Sequence, residues 1–159
     1  MAWVAEERVV YNPKLIAKKF EQISSDFIET PSHKLVMKWY RSVYTDLYIW
    51  VDQESGGIVR QQFSYLGMIV EWNQIQGVKT GLVVDTPQEE TGQKVNTVSN
   101  IQYDNRPLQE SINSAIEIMK LTHSIDEKEE ILSNMYNGPK MSKWQLFKLM
   151  VRFFKRRKK

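Results

Sequence analysis

The sequence predicts an α+β fold: an antiparallel β-meander of four to five strands, with an N-terminal helix and two to three C-terminal helices packed on one face. Three observations predict it. Apolar residues recur at helical spacing near the start and again after residue 107. Between residues 33 and 85 the period falls to two, and aromatic and β-branched residues take over. The connections inside that interval are short, so consecutive strands are expected to pair as antiparallel neighbours. A chain of 159 residues suits a single continuous core.

The first element is predicted at Asn12-Pro13, with Asn as N-cap and Pro at the first helical position, where its missing N–H costs nothing. Leu15, Ile16, Phe20, Ile23 and Phe27 fit one helical face, and Thr30-Pro31 stops the pattern, so a helix is expected over 13–28. Its other face, with Lys14, Lys18, Lys19, Glu21 and Asp26, reads as solvated surface.

The strands follow. Leu35, Met37 and Trp39 alternate with Lys38 and Tyr40; then come 47–51, Val59 with Phe63 and Tyr65, Met68 with Val70 and Trp72, and 78–84. Turns are expected at Thr45-Asp46, at 54–57, near Gly67 and over 74–77. Arg60, Gln62 and Ser64 make one face polar, which leaves the other to be covered by helices.

Residues 86–105 are rich in Thr, Gln, Asn and Gly and read as a long loop with a short strand near 98–103. Pro107 then opens a helix in which Leu108, Ile112, Ala115, Ile116 and Met119 share a face. A further helix is expected after the capping-box pattern Ser124 to Glu127, ending at Asn137-Gly138-Pro139. Ser142 to Gln145 is a second capping box, opening the last helix.

That last helix belongs to a compositionally separate segment, so the chain divides into a globular body, 1–142, and a basic amphipathic helix and tail, 143–159. The segment holds eight of the 22 Lys and Arg and no acid, leaving 14 basic against 19 acidic residues in the body. Local potential governs encounter more than the net charge of +3 does. At 100° per residue Gln145, Lys148, Arg152 and Lys155 share a narrow arc, while Trp144, Leu146, Phe147, Leu149, Met150, Val151, Phe153 and Phe154 fill most of the rest.

Basic amphipathic helices with Trp and Phe lie on anionic membranes or fill grooves on acidic proteins. The candidate binding residues are therefore Trp144, Phe147, Lys148, Arg152, Phe154, Lys155, Arg156, Arg157, Lys158 and Lys159. The expected function is that of a non-catalytic binding or adaptor protein engaging an anionic membrane surface or an acidic partner protein. Self-association into a homo-oligomer is a further possibility. Two other classes remain open. The tail would pair with nucleic-acid phosphates, with Tyr40, Tyr48, Trp50 and Tyr65 as stacking aromatics. A small enzyme would place carboxylates such as Asp85, Glu89 and Glu90 in a site where the 86–105 loop meets Trp50 or Trp72.

Motif chemistry points away from catalysis and cofactors. No nucleophile elbow, phosphate loop or dinucleotide fingerprint occurs, and the chain has no cysteine for thiol chemistry or zinc fingers. His33 and His123 stand ninety residues apart, outside any metal-ligand spacing. The acids Asp126, Glu127, Glu129 and Glu130 read as first-turn residues favoured by the helix dipole. Glu6 and Glu7 near the start argue against a secretory signal, and no apolar run approaches membrane-spanning length. A cytoplasmic protein, peripheral to membrane at most, is the expectation.

Overall fold

The computed structural model describes residues 11–29, 34–84 and 100–137. Asn12 caps the first helix, α1 (Pro13–Lys18), its side-chain oxygen accepting from the Leu15 N–H at 3.1 Å. The helix stops there. The expected 13–28 helix is replaced after one and a half turns by a strand, β1 (Glu21–Glu29), paired antiparallel with β2 (Lys34–Ser42). The spacing of Phe20, Ile23 and Phe27 satisfies a helical template, but strand pairing also satisfies the backbone, and a bulge between Gln22 and Ser24 resets the register. Ile23, assigned to a buried helical face, is 48% exposed.

From β2 the chain meanders through β3 (Thr45–Asp52), β4 (Ile58–Tyr65), β5 (Met68–Asn73) and β6 (Gly77–Val83) to β7 (Ile101–Tyr103). All seven strands pair antiparallel in sequence order. The expected four to five strands correspond to β2–β6. The short strand expected near 98–103 is β7, so the one strand not expected is β1, which takes the place of the second half of the predicted helix.

Turn chemistry sets the register. Leu66 and Gly67 both have positive φ, 48° and 79°, the two-residue hairpin geometry whose twist matches that of its strands. The Asp52 carboxylate accepts from the backbone and hydroxyl of Ser55, closing the turn before Ile58. Asn73 does the same for Ile75 and Gln76. At Gly81 a Cβ would lie 2.5 Å from the Gln102 carbonyl oxygen, so the close approach of β6 and β7 requires glycine.

The helices α2 (Gln109–Leu121) and α3 (Lys128–Tyr136) join α1 over one sheet face. Tyr40, Leu47, Ile49, Ile58, Phe63, Tyr65, Val70 and Trp72 form the sheet side of this core, and Ile112, Ala115, Ile116, Met119, Ile131 and Met135 the helix side. The capping box at Ser124 is not formed. Glu127 occupies the N-cap position without a side-chain cap, and the Ser124 hydroxyl instead donates to the Phe20 carbonyl at 2.9 Å. Beside it the Thr122 hydroxyl donates to the Ala17 carbonyl, so the α2–α3 connection is stitched to the end of α1.

Two polar links cross this core. The Gln61 amide donates to the Ile131 carbonyl at 3.1 Å and accepts from Asn134 at 2.9 Å, joining β4 to α3. Tyr65 donates to the Ser111 carbonyl at 3.0 Å, joining the same strand to α2.

Candidate functional site

Strand alternation sends the remaining side chains to the opposite face, and register decides which of them meet. Trp39 on β2 faces Tyr48 on β3, which faces Gln62 on β4, then Glu71 on β5 and Lys79 on β6. The next row runs Met37, Trp50, Arg60 and Asn73. The result is an aromatic strip. Trp39 stacks on Tyr48 with ring centroids 5.6 Å apart and 15° between planes, and Tyr48 meets Trp50 at 6.3 Å.

A guanidinium closes each end. Arg41 lies 4.6 Å above the Trp39 ring and Arg60 4.6 Å above the Trp50 ring. Each cation is held by a carboxylate: Asp46 accepts from Arg41 at 2.9 Å and from the Trp39 indole N–H at 2.8 Å, and Glu71 accepts from Arg60 at 3.1 Å. Glu71 also accepts the Tyr103 hydroxyl at 2.9 Å, tying β7 to the strip. Burial, then the Glu71 carboxylate, push the Tyr103 pKa up to about 12, so its hydroxyl stays a donor at neutral pH.

The expectation of a solvated polar face fails at its centre. Tyr48 and Trp50 are each 7% exposed, Gln62 1% and Ile69 0%. Gln62 has no hydrogen-bond partner for either amide atom among the described residues, and nor does Arg60 Nε. The apolar side chains packed against Met37, Tyr48 and Trp50 among the described residues are Leu35, Trp39 and Val59, all from the sheet itself.

The proposed stacking set divides between faces. Tyr40 and Tyr65 lie in the helix-covered core, while Tyr48 and Trp50 lie on the aromatic strip. Trp50 and Trp72 also point to opposite faces, so no single site brings both together. Asp85, Glu89, Glu90 and His33 lie outside the described residues, as do all ten candidate binding residues of 143–159. His123 is exposed in the α2–α3 connection. Among the described residues no group of three His, Cys, Asp or Glu is placed to hold a metal ion, and no helix is long and apolar enough to cross a membrane.

Two of the acids read as dipole-favoured surface residues have structural work. Glu127 forms an ion pair with Lys38 and accepts the Tyr40 hydroxyl at 3.0 Å. Burial raises its pKa, but hydrogen bonds from Lys38, its own backbone and Tyr40 outweigh that and leave the value below the usual range. Glu130 accepts the Ile58 N–H at 2.9 Å at the start of β4. Sequence patterning missed the strip because its members come from six strands. The one signal was the alternation Trp39, Tyr48 and Trp50, which says only that they share a side of their own strand.

No family model, no curated protein and no solved structure matches the chain. What can be said of function therefore comes from charge and geometry.

Proposed function

We propose that this is a non-catalytic binding protein whose segment 143–159 attaches it to an anionic membrane surface. One observation carries the reading: eight basic residues and no acid in that segment, against 14 basic and 19 acidic in the rest. Lys155, Arg156, Arg157, Lys158 and Lys159 are consecutive, without interleaved acids. Such a run matches a diffuse negative field better than the spaced contacts of one protein pocket. Each cation near a membrane rich in acidic lipid contributes about 1 kcal/mol, and the attraction falls off within a Debye length.

The test is co-sedimentation of the full chain with neutral phosphatidylcholine vesicles and with vesicles containing a third phosphatidylserine, at low and high salt. Binding to the acidic vesicles alone, lost at high salt and weakened at least tenfold when residues 155–159 are replaced by Gln, is the expected result. Equal binding to both vesicle types, or no binding, overturns it. Retention on duplex DNA or on an acidic protein resin without vesicle binding would transfer the function to nucleic acid or to a protein partner.

A further inference from the structure

We propose that the aromatic strip of the sheet is the docking surface for the chain's own C-terminal amphipathic segment, which seats its apolar arc there and turns its basic stripe outward. A sheet presents two faces, and an uncovered one leaves its side chains in contact with solvent. Here the helix-covered face is complete, with α1, α2 and α3 over it, yet the centre of the other is equally dry: Ile69 0%, Gln62 1%, Tyr48 and Trp50 7% each. The described apolar neighbours of that aromatic cluster are all sheet residues, so a cover must come from elsewhere in the chain or from outside it.

Composition selects the cover. Residues 30–33 contain no large apolar side chain, and 85–99 contain only Val95 and Val98. Residues 1–10 offer Trp3 and three valines, interrupted by Glu6, Glu7 and Arg8. Only 144–154 provides a continuous apolar arc, with Trp144, Phe147, Met150, Val151 and Phe154 among its members.

Dimensions agree. As a helix, 144–154 would be about 15 Å long. The strip from β2 to β6 spans four strand spacings, about 19 Å. Seven residues lead from Asn137, at the end of α3, to Trp144, a reach of about 24 Å. The helix layer and a layer on the opposite face lie about 20 Å apart, at about 10 Å per layer, so the connection must run close around the ends of the strands.

The polarity of the two surfaces also fits. Arg41 and Arg60 are already held by Asp46 and Glu71, so the strip needs no acid from its occupant. Gln145, Lys148, Arg152 and Lys155 fall on the arc away from the apolar residues and would form an outward ridge continuous with the terminal cations. The docking does not depend on what that ridge meets.

The absence of cysteine allows one spin label per molecule. A nitroxide on Lys148→Cys in the full chain, on the outward stripe, leaves the docking arc intact. Without vesicles, the amide signals of Trp39, Tyr48, Trp50 and Gln62 are expected to lose at least half their intensity relative to the reduced label. Those of Glu117 and Lys120, on the outer side of α2, keep theirs. Adding Phe147→Asp to the labelled chain is expected to restore the strip signals. Equal attenuation of both sets, or none, overturns the proposal. So does attenuation unchanged by Phe147→Asp. Should that second variant fail to fold, the singly substituted chain still decides. Vesicle binding by the Gln-substituted tail reports separately on membrane attachment.

Discussion

The Tyr40 hydroxyl donates to Glu127 at 3.0 Å, joining the second strand of the sheet to the residue at which α3 begins. The same carboxylate pairs with Lys38, two positions along β2, so these two inward-facing polar groups converge on one acceptor. Removing it leaves a half-buried ammonium and a buried phenol without their acceptor. Glu127→Ala is expected to cost about 2 kcal/mol, the scale of a hydrogen bond to a charged group, and Glu127→Gln less because the amide oxygen still accepts from Tyr40. Urea unfolding of both variants checks the order.

The pH dependence has a worked sign at both ends. Glu127 has a folded pKa below its ordinary 4.5, so its contribution is complete above 4.5 and is lost as pH falls through the depressed folded value. Tyr11 is raised from 10.0 to about 12 by burial and by its hydrogen bond to Glu117, so its contribution is complete below 10 and is lost as pH rises toward 12. Thermal melts across pH should show an acid shoulder that Glu127→Gln removes and an alkaline one that Tyr11→Phe reduces, the other raised tyrosines, Tyr103 among them, supplying the rest.

Gln61 and Asn134 form a buried polar pair, with Gln61 fully buried and Asn134 1% exposed. Gln61→Leu orphans the Asn134 amide, at about 1–3 kcal/mol for an unsatisfied buried group, while the Ile131 carbonyl keeps its place in the α3 ladder. Adding Asn134→Leu should return part of that loss, since both ends of the bond are then apolar. A double-mutant cycle in urea with a coupling of at least about 1 kcal/mol is the expected outcome.

Gly81→Ala drives a Cβ into the Gln102 carbonyl, 2.5 Å away. Backbone is what it meets, so β7 must separate from β6. The expected result is loss of hydrogen-exchange protection at Val84 and Asp104, whose N–H groups donate to the Asn100 and Thr80 carbonyls across the β6–β7 seam, and a melting temperature lowered by several degrees, on the scale of about 2 kcal/mol for overpacking.

Gln62 gives the opposite sign. Neither of its amide atoms has a partner among the described residues, and it is 1% exposed. Replacing it with Met keeps the length and removes two desolvated polar atoms, so Gln62→Met is expected to stabilise the fold by about 1–3 kcal/mol. Calorimetry of the full chain measures it.

The amino-acid sequence alone determined the α+β class, strands β2–β6 and the short β7, the Asn12 cap, the turns at 54–57, Gly67 and 74–77 and the segregation of charge into 143–159, while the turn expected at Thr45-Asp46 falls two residues earlier, at Val43-Tyr44. These are local signals, carried by side-chain period and by residues such as Gly67 whose backbone freedom a tight turn needs. The tertiary structure decided the rest. Ile23 and Phe27 suit a helix or a strand equally, and only pairing with β2 selects the strand, because the hydrogen bonds that do so lie in another part of the chain. The aromatic strip was invisible for the same reason. Trp39, Tyr48, Trp50, Arg60 and Glu71 become neighbours through register across four strands, a relation that no spacing along one strand encodes.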